Sequence, residues 1–187
     1  MTDTTLTMRD RYLGAMEFEE MLATATQNQE LWDAVWRRAA VPEEFISRLA
    51  ATGGTWHFLV LSEDWCGDAV NTVPVVAKLA ELAGNADMRV LARDSHLDLM
   101  DTHLTGTSRS IPIVIALDEN FEERAWWGPR PRALQEWVLG PGMAMEKDLR
   151  YREVRAWYAR DKGRSTLEEM VSMVERVRED GLAELSS

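Results

Sequence analysis

One residue of this sequence carries a reactive sulfur, the cysteine at position 66. It lies in a turn between an apolar run at 56–61, which predicts a buried strand, and a stretch at 69–83, which predicts a helix. A thiolate at the start of a helix meets free backbone N–H groups and the positive end of the helix dipole, which lower the pKa of a cysteine. A buried, inert cysteine fits the same position, because free cysteines are among the most buried residues. Position alone leaves both interpretations open.

Acidic side chains flank this cysteine in the sequence. Glu63, Asp64 and Asp68 carry negative charge that opposes a thiolate, against the effect of the helix end. Asp68 also suits the first turn of the predicted helix, and we favour that structural role for it. The alternative is that the acids select a cationic partner.

Histidines suggest two further kinds of site. His96 and His103 lie in a run rich in acids, which comprises Asp94, Asp98 and Asp101. A metal site needs ligands that converge on one point, so we expect a solvated helix here and no metal. His57 would pair with Cys66 as imidazole and thiolate if the two were close. However, His57 lies nine residues earlier along the predicted strand, so we expect it at the far end.

The composition limits the classes of function. The chain has 187 residues, of which 45% are apolar and 28% charged, which is typical of a folded chain with a substantial core. Its single cysteine excludes an internal disulfide and a four-cysteine zinc site. The net charge of -11 argues against binding to nucleic acid or anionic lipid. The sequence shows no run of about 18 apolar residues and no basic, apolar leader. We therefore expect a soluble, cytoplasmic protein.

Hydrophobic periodicity gives the order of elements that must position the cysteine. It predicts helices across most of 8–51, then strands at 56–61, 88–91 and 113–117 with a hairpin partner at 121–127. Further helices are predicted at 69–83, 95–104, 128–139, 143–160 and 166–180. The order is helices, then β-α-β-α-β-β-α, then helices. Strand–helix–strand units predict parallel pairing and the hairpin adds an antiparallel strand, so the fold class is α/β with a central mixed sheet.

We expect one domain over 1–187. Within it we distinguish an N-terminal helical extension, a central core and a C-terminal helical extension, at 1–52, 53–140 and 141–187. The helices of the C-terminal extension carry charges of both signs, which is typical of solvated faces, and their apolar stripes are compatible with a homodimer.

Tryptophans mark surfaces where elements meet. Trp126, Trp127 and Arg130 follow the predicted hairpin and form either an interface hot spot or, as we favour, core packing with an arginine that reaches solvent. The tryptophans at helical spacing predict seams where the flanking helices dock on the sheet: Trp32, Trp36, Trp137 and Trp157.

The stretch Trp65-Cys66-Gly67-Asp68-Ala69 resembles the thioredoxin motif W-C-G-x-C. Pro74 falls where thioredoxins carry a helix-kinking proline, Ser110-Ile111-Pro112 is similar to their cis-proline segment, and Gly128 follows the hairpin as their late glycine does. The resemblance covers about 53–140 and is strongest to bacterial thioredoxin-like proteins with a W-C-G-D-C motif. It implies a thioredoxin-like fold with helical extensions at both ends.

Two groups that resolve the mixed disulfide in thioredoxins are missing from this chain. Ala69 replaces the second cysteine, and Val60 falls on the position of the buried aspartate. The attacking half is retained, so the resemblance implies that Cys66 is the nucleophile of a monothiol exchange. It further implies that a cis Pro112 lies beside the sulfur and that an extended substrate pairs with the backbone there. The substrate-binding residues implied are Trp65, Gly67, Asp68, Ile111 and Pro112.

The sequence therefore predicts a thiol-redox protein of the thioredoxin superfamily with one cysteine, a possible oxidoreductase without its resolving thiol. Its expected partner is a protein or a small thiol or disulfide, with no cofactor. The alternative is a non-catalytic binding module that holds a protein partner through the Cys66–Pro112 groove or the flanking helices. A cluster-binding monothiol glutaredoxin is a minor interpretation, because the glutathione-binding pattern is not visible in this sequence.

Overall fold

A five-stranded mixed sheet forms the centre of the computed structural model, which describes residues 6–185. The strands are β1 (Met16–Glu17), β2 (Trp56–Ser62), β3 (Ala86–Ala92), β4 (Ile113–Leu117) and β5 (Glu123–Trp127). They lie in the order β1-β3-β2-β4-β5. β2 and β3 are parallel, and the other neighbouring pairs are antiparallel.

Helices flank this sheet and extend the chain at both ends. In chain order they are α1 (Met8–Gly14), α2 (Phe18–Thr24), α3 (Gln29–Arg38), α4 (Glu43–Ala51), α5 (Gly67–Ala83), α6 (Leu97–Met100), α7 (Arg132–Leu139), α8 (Lys147–Asp161) and α9 (Arg164–Leu185). Short 3₁₀ turns lie at Arg93–Ser95 and Pro141–Ala144. The predicted α/β thioredoxin-like order is confirmed. Among residues 6–185, no helix combines the length and apolar character needed to cross a membrane.

Two features of the sheet differ from the prediction. The region predicted as helical at 8–51 contains the two-residue strand β1, which pairs with Val90 and Arg89 at the edge of β3. Two residues are too few to show the alternation that identifies a strand.

The second strand–helix–strand unit does not give the parallel pairing predicted for it. β4 runs antiparallel to β2, with Val60 opposite Val114. A parallel crossover needs a connection that returns to the starting edge, usually through a long helix, and α6 has only four residues. The connection between β3 and β4 therefore stays at the end of the sheet where β2 also ends. That end carries Cys66.

The apolar runs of the central strands form the core. All five residues of β4 are buried, and in β2 only His57 is partly exposed. Burial of each such Val, Leu or Ile side chain contributes about 1.5–3 kcal/mol. α5 lies against this layer and buries ten of its residues, including Pro74. It ends at Gly84, whose φ of 73° is the left-handed conformation that glycine adopts without strain.

The C-terminal helix α9 is part of the core. Leu167, Met170, Val171 and Val174 are fully buried and share one helical face, which packs against β5, α4 and α5. The neighbouring α8 is different, because Tyr158 is the only buried residue within its described length.

Candidate functional site

Cys66 lies directly before α5 and caps its N-terminus. Its Sγ is 3.5 Å from the backbone N–H of Ala69, which donates to it, and the thiol donates to the carbonyl of Ile111 at 3.4 Å. The peptide bond between Ile111 and Pro112 is cis. The fold thus brings the cysteine and the proline segment together across 45 residues of sequence.

The environment of Cys66 favours the neutral thiol. The residue is only 8% exposed. Burial raises the pKa of the thiol, the negative charge of Asp68 raises it further, and the N–H of Ala69 and the charge of Arg130 lower it by less. The pKa lies above its ordinary value, which favours the buried cysteine among the two interpretations that the sequence leaves open. The helix end does act on the sulfur, but desolvation of the thiolate outweighs it.

Asp68 lies in the first turn of α5, as predicted, and its carboxylate binds two distant side chains. Arg130 donates to Oδ2, and the Tyr158 hydroxyl donates to Oδ1 at 2.7 Å. Arg130 also donates to Oε1 of Gln135 at 2.6 Å. The side chains of Asp68 and Arg130 are only 14% and 19% exposed, so a largely buried charge pair lies beside the cysteine.

The carboxylates of the other two acids near Cys66 bind backbone groups of other segments. Oδ2 of Asp64 accepts the backbone N–H groups of Thr26 and Gln27 at 2.8 and 2.9 Å. The Asp64 carbonyl accepts the indole N–H of Trp32 at 2.9 Å. Glu63 accepts the N–H of Asp94 at 2.8 Å. These residues tie the loop before Cys66 to the N-terminal helices and to the end of β3.

Trp65 and Gly67 lie on either side of the cysteine in the chain. Trp65 is 42% exposed, and the guanidinium of Arg93 lies 5.1 Å from the centre of its ring. At Gly67 a side chain would meet no atom within 4 Å, so open space lies beside the first residue of α5.

Gly128 lies directly against the backbone of the proline segment. A Cβ at this position would lie 2.2 Å from the carbonyl oxygen of Pro112 and 3.2 Å from Cα of Ile113. Its φ of 137° is also unsuited to a side chain. The absence of a side chain therefore lets the end of β5 pack directly on the start of β4.

His57 and His103 are each bound to an acid other than those that flank Cys66. His57 is near the start of β2, where Nδ1 is 2.6 Å from Oδ1 of Asp87 and the ring stacks on Phe121. His103 is buried, which corrects the prediction of a solvated helix, and its Nε2 lies 2.9 Å from Oε1 of Glu123.

The acids of the histidine-rich run are paired with arginines. Asp94, Asp98 and Asp101 bind Arg93, Arg11 and Arg109 respectively. Among the residues that the structure describes, no group of three or more His, Cys, Asp or Glu side chains is arranged to hold a metal ion.

Sequence reasoning missed Arg130 and Tyr158 as neighbours of the site. The sequence predicts an Arg130 that packs and reaches solvent, which is wrong because its side chain is only 19% exposed and pairs with Asp68. Tyr158 carries no signal within a charged helix. They lie 62 and 90 residues from Asp68, and no local pattern connects them. Local sequence alone does not distinguish Tyr158 from Tyr151, which lies on the same helix but is exposed.

Comparison with known proteins adds three findings. A family model described as Thioredoxin matches residues 15–154. Two solved structures share the fold: a protein of unknown function from Pseudomonas aeruginosa, at 18% identity with a TM-score of 0.74, and an HIV epitope scaffold, at 16% identity with a TM-score of 0.73. Each alignment covers 91% of this chain and 98% of the other. No curated protein sequence matches the chain.

Proposed function

The chain belongs to the thioredoxin family, and on that basis we propose that it acts as a single-cysteine thiol exchanger. In this proposal Cys66 forms a mixed disulfide with a thiol or disulfide partner. An external thiol then releases the partner, because Ala69 stands where a resolving cysteine would be. The proposed location is the cytoplasm, where small thiols are abundant and disulfides rarely persist.

The contact between Cys66 and the proline segment carries this proposal. The sulfur lies 3.4 Å from the Ile111 carbonyl, directly before the cis Pro112. A partner that approaches this segment in an extended conformation meets its backbone and the sulfur at the same place. Trp65, which is exposed, lies next to Cys66 and supplies an apolar contact.

A second candidate function is a non-catalytic binding module built on the same fold. The burial of the sulfur and the raised pKa of the thiol favour it. A neutral, covered thiol is a poor nucleophile, because the thiolate is the attacking species. The two candidates differ in one property, the reactivity of Cys66 in the folded protein.

Incubation with oxidised glutathione, followed by mass spectrometry of the intact protein, tests the proposal. Because the chain has one cysteine, a mass gain of one glutathionyl group reports on Cys66 alone. We expect an adduct on the folded protein, none on Cys66→Ser, and release of the adduct by added thiol. An adduct that forms in urea but not in the native state would reject exchange and support the binding module.

A further inference from the structure

The C-terminal extension reaches the proposed exchange site through Tyr158 on α8. α8 presents mainly exposed or half-buried residues, and Tyr158 is the one it buries within the described range, at 5% exposure. The Tyr158 hydroxyl donates to Oδ1 of Asp68, two residues after Cys66. The most buried point of α8 is therefore also its point of contact with the site.

Asp68 is held from a second direction by the segment that follows β5. Arg130 occupies Oδ2, while Tyr158 occupies Oδ1, so both carboxylate oxygens have partners. Gln135 on α7 accepts a further hydrogen bond from Arg130. These bonds join α5, α7 and α8 around the first turn of α5. Side chains that are tied at both ends keep a fixed position, because movement of one breaks bonds of the others.

Tyr158 also interacts electrostatically with Cys66. Burial raises the pKa of the Tyr158 phenol, the charge of Asp68 raises it further, and a thiolate at Cys66 would add to the same effect. The phenol is therefore a neutral group that stays in place as a donor to Asp68. Cys66, two residues before Asp68 in the chain, is 8% exposed.

We propose that Tyr158, fixed by its bond to Asp68, covers Cys66 and restricts exchange to low-molecular-weight disulfides. This inference rests on the proposed exchange function and names its substrate class. A small disulfide can enter the space beside Gly67, where an added Cβ would contact no atom beyond the adjacent residues and the backbone of α5. A disulfide held in a folded protein brings a surface of its own, which meets α8 before its sulfur reaches Cys66.

The covalent step is a balanced exchange. The Cys66 thiol loses its proton to water, and the thiolate attacks one sulfur of the disulfide RSSR. The Cys66–S–R bond forms as the S–S bond of RSSR breaks, and the leaving RS⁻ takes a proton from water. A second small thiol reverses the step and frees Cys66.

The test compares two disulfides on three variants. The probes are bis(2-hydroxyethyl) disulfide and insulin, a folded protein with disulfides. The rate at which Cys66 reacts with each probe is divided by the rate at which a short peptide with a free cysteine reacts with the same probe. For the wild type we expect the small disulfide to be favoured at least tenfold over insulin. Tyr158→Ala removes the ring and should reduce this preference at least threefold. Tyr151→Ala changes an exposed tyrosine of the same helix and should leave it unchanged.

Tyr158→Phe gives a second measurement that does not depend on loss of the ring. It keeps the ring and removes the donor to Asp68, so we expect a smaller reduction of the preference in the same direction. Circular dichroism establishes that each variant is folded.

The outcomes separate the two proposals. If the wild type shows the same ratio of the two reaction rates, small disulfide to insulin, as the free peptide does, the size restriction is wrong but exchange at Cys66 stands. If it reacts with neither, exchange itself is wrong. If Tyr151→Ala changes the preference as much as Tyr158→Ala does, the cover is not specific to Tyr158.

Discussion

The sulfur of Cys66 is subject to two opposing electrostatic effects. The N-terminus of α5 and Arg130 favour the thiolate, while burial and Asp68 favour the thiol, and the second pair is stronger. Asp68 is one of three acids near Cys66 in sequence, but Asp64 instead binds the backbone of Thr26 and Gln27. The electrostatic penalty on Cys66 therefore comes from one acid, which makes it open to test by single substitutions.

Asp68→Asn should make Cys66 more reactive. The change removes the negative charge that raises the pKa of the thiol and leaves the positive charge of Arg130 unopposed. We expect the rate of alkylation by iodoacetamide at pH 7.5 to rise roughly threefold or more, with its pH midpoint moved to lower pH.

Asp64→Asn is the matched control for this measurement. Its carboxylate makes three hydrogen bonds to Thr26 and Gln27, so we expect a less stable protein with an unchanged alkylation midpoint. Equal shifts of the midpoint in the two variants would show that Asp68 has no special effect on the sulfur.

The buried pair of His103 and Glu123 should make stability depend on pH. Burial disfavours the imidazolium, but the carboxylate of Glu123 and the carbonyl of Leu99 outweigh it and raise the pKa of His103. The stability that the pair contributes is thus fully present below the unfolded pKa of about 6.5. It is lost as the pH rises through the higher folded pKa.

Urea unfolding of Glu123→Gln, compared with the wild type, measures this contribution. At pH 5.5 we expect the variant to be less stable by about 1–3 kcal/mol, and the difference should shrink at pH 9. The control is Glu122→Gln, an exposed neighbour that pairs weakly with Arg124 at 3.7 Å. A difference for Glu123→Gln that is constant from pH 5.5 to 9 would contradict a charged pair.

At the scale of elements, the connection between β3 and β4 decides where the site forms. It stays at one end of the sheet, so the start of β4 meets the start of α5. The sequence predicted both elements and their order from apolar runs and turn residues. It did not predict the antiparallel direction of β4, because pairing direction depends on the path of a connection that has little regular structure.

Gly128→Ala tests how closely β5 supports this junction. The added Cβ would lie 2.2 Å from the carbonyl oxygen of Pro112 and 3.2 Å from Cα of Ile113, and these backbone atoms cannot move aside as a flexible side chain could. We expect a loss of about 2–4 kcal/mol in the free energy of unfolding, measured with urea. Gly53 also has a positive φ, of 65°, but a Cβ added there would meet no atom within 4 Å. We therefore expect Gly53→Ala to lower the free energy of unfolding by about 1 kcal/mol. Equal losses would mean that the close approach to Pro112 contributes nothing.

Over the whole molecule, residues from opposite ends of the chain meet in ways that local sequence patterns do not encode. The motif around Cys66 and the segment before β4 were predictable, because each is a short run with its own signature. Arg130 and Tyr158 were not, since their role depends on where α7 and α8 lie relative to α5. The same holds for the contact between the N-terminal helix α4 and the C-terminal helix α9.

Arg48 joins these two helices, and its substitution tests whether α4 and α9 stabilise each other. The Arg48 guanidinium on α4 pairs with Glu168 and Glu175 on α9 at 2.9 and 2.8 Å. Each carboxylate accepts two hydrogen bonds from it, and such bidentate geometry is stronger than a single surface contact. We expect Arg48→Gln to lower the free energy of unfolding by about 1–2 kcal/mol.

This loss should be smaller in 1 M salt, because partly exposed ion pairs are screened. The control is Arg37→Gln, since the Arg37 guanidinium bonds the Asp33 carbonyl within its own helix. If both arginine variants lose the same stability at every salt concentration, the pairing of α4 with α9 adds nothing beyond ordinary surface charge. If only Arg48→Gln responds to salt, the first and last parts of the chain are held together by this ion pair, and the helix that follows Tyr158 is anchored to the N-terminal extension.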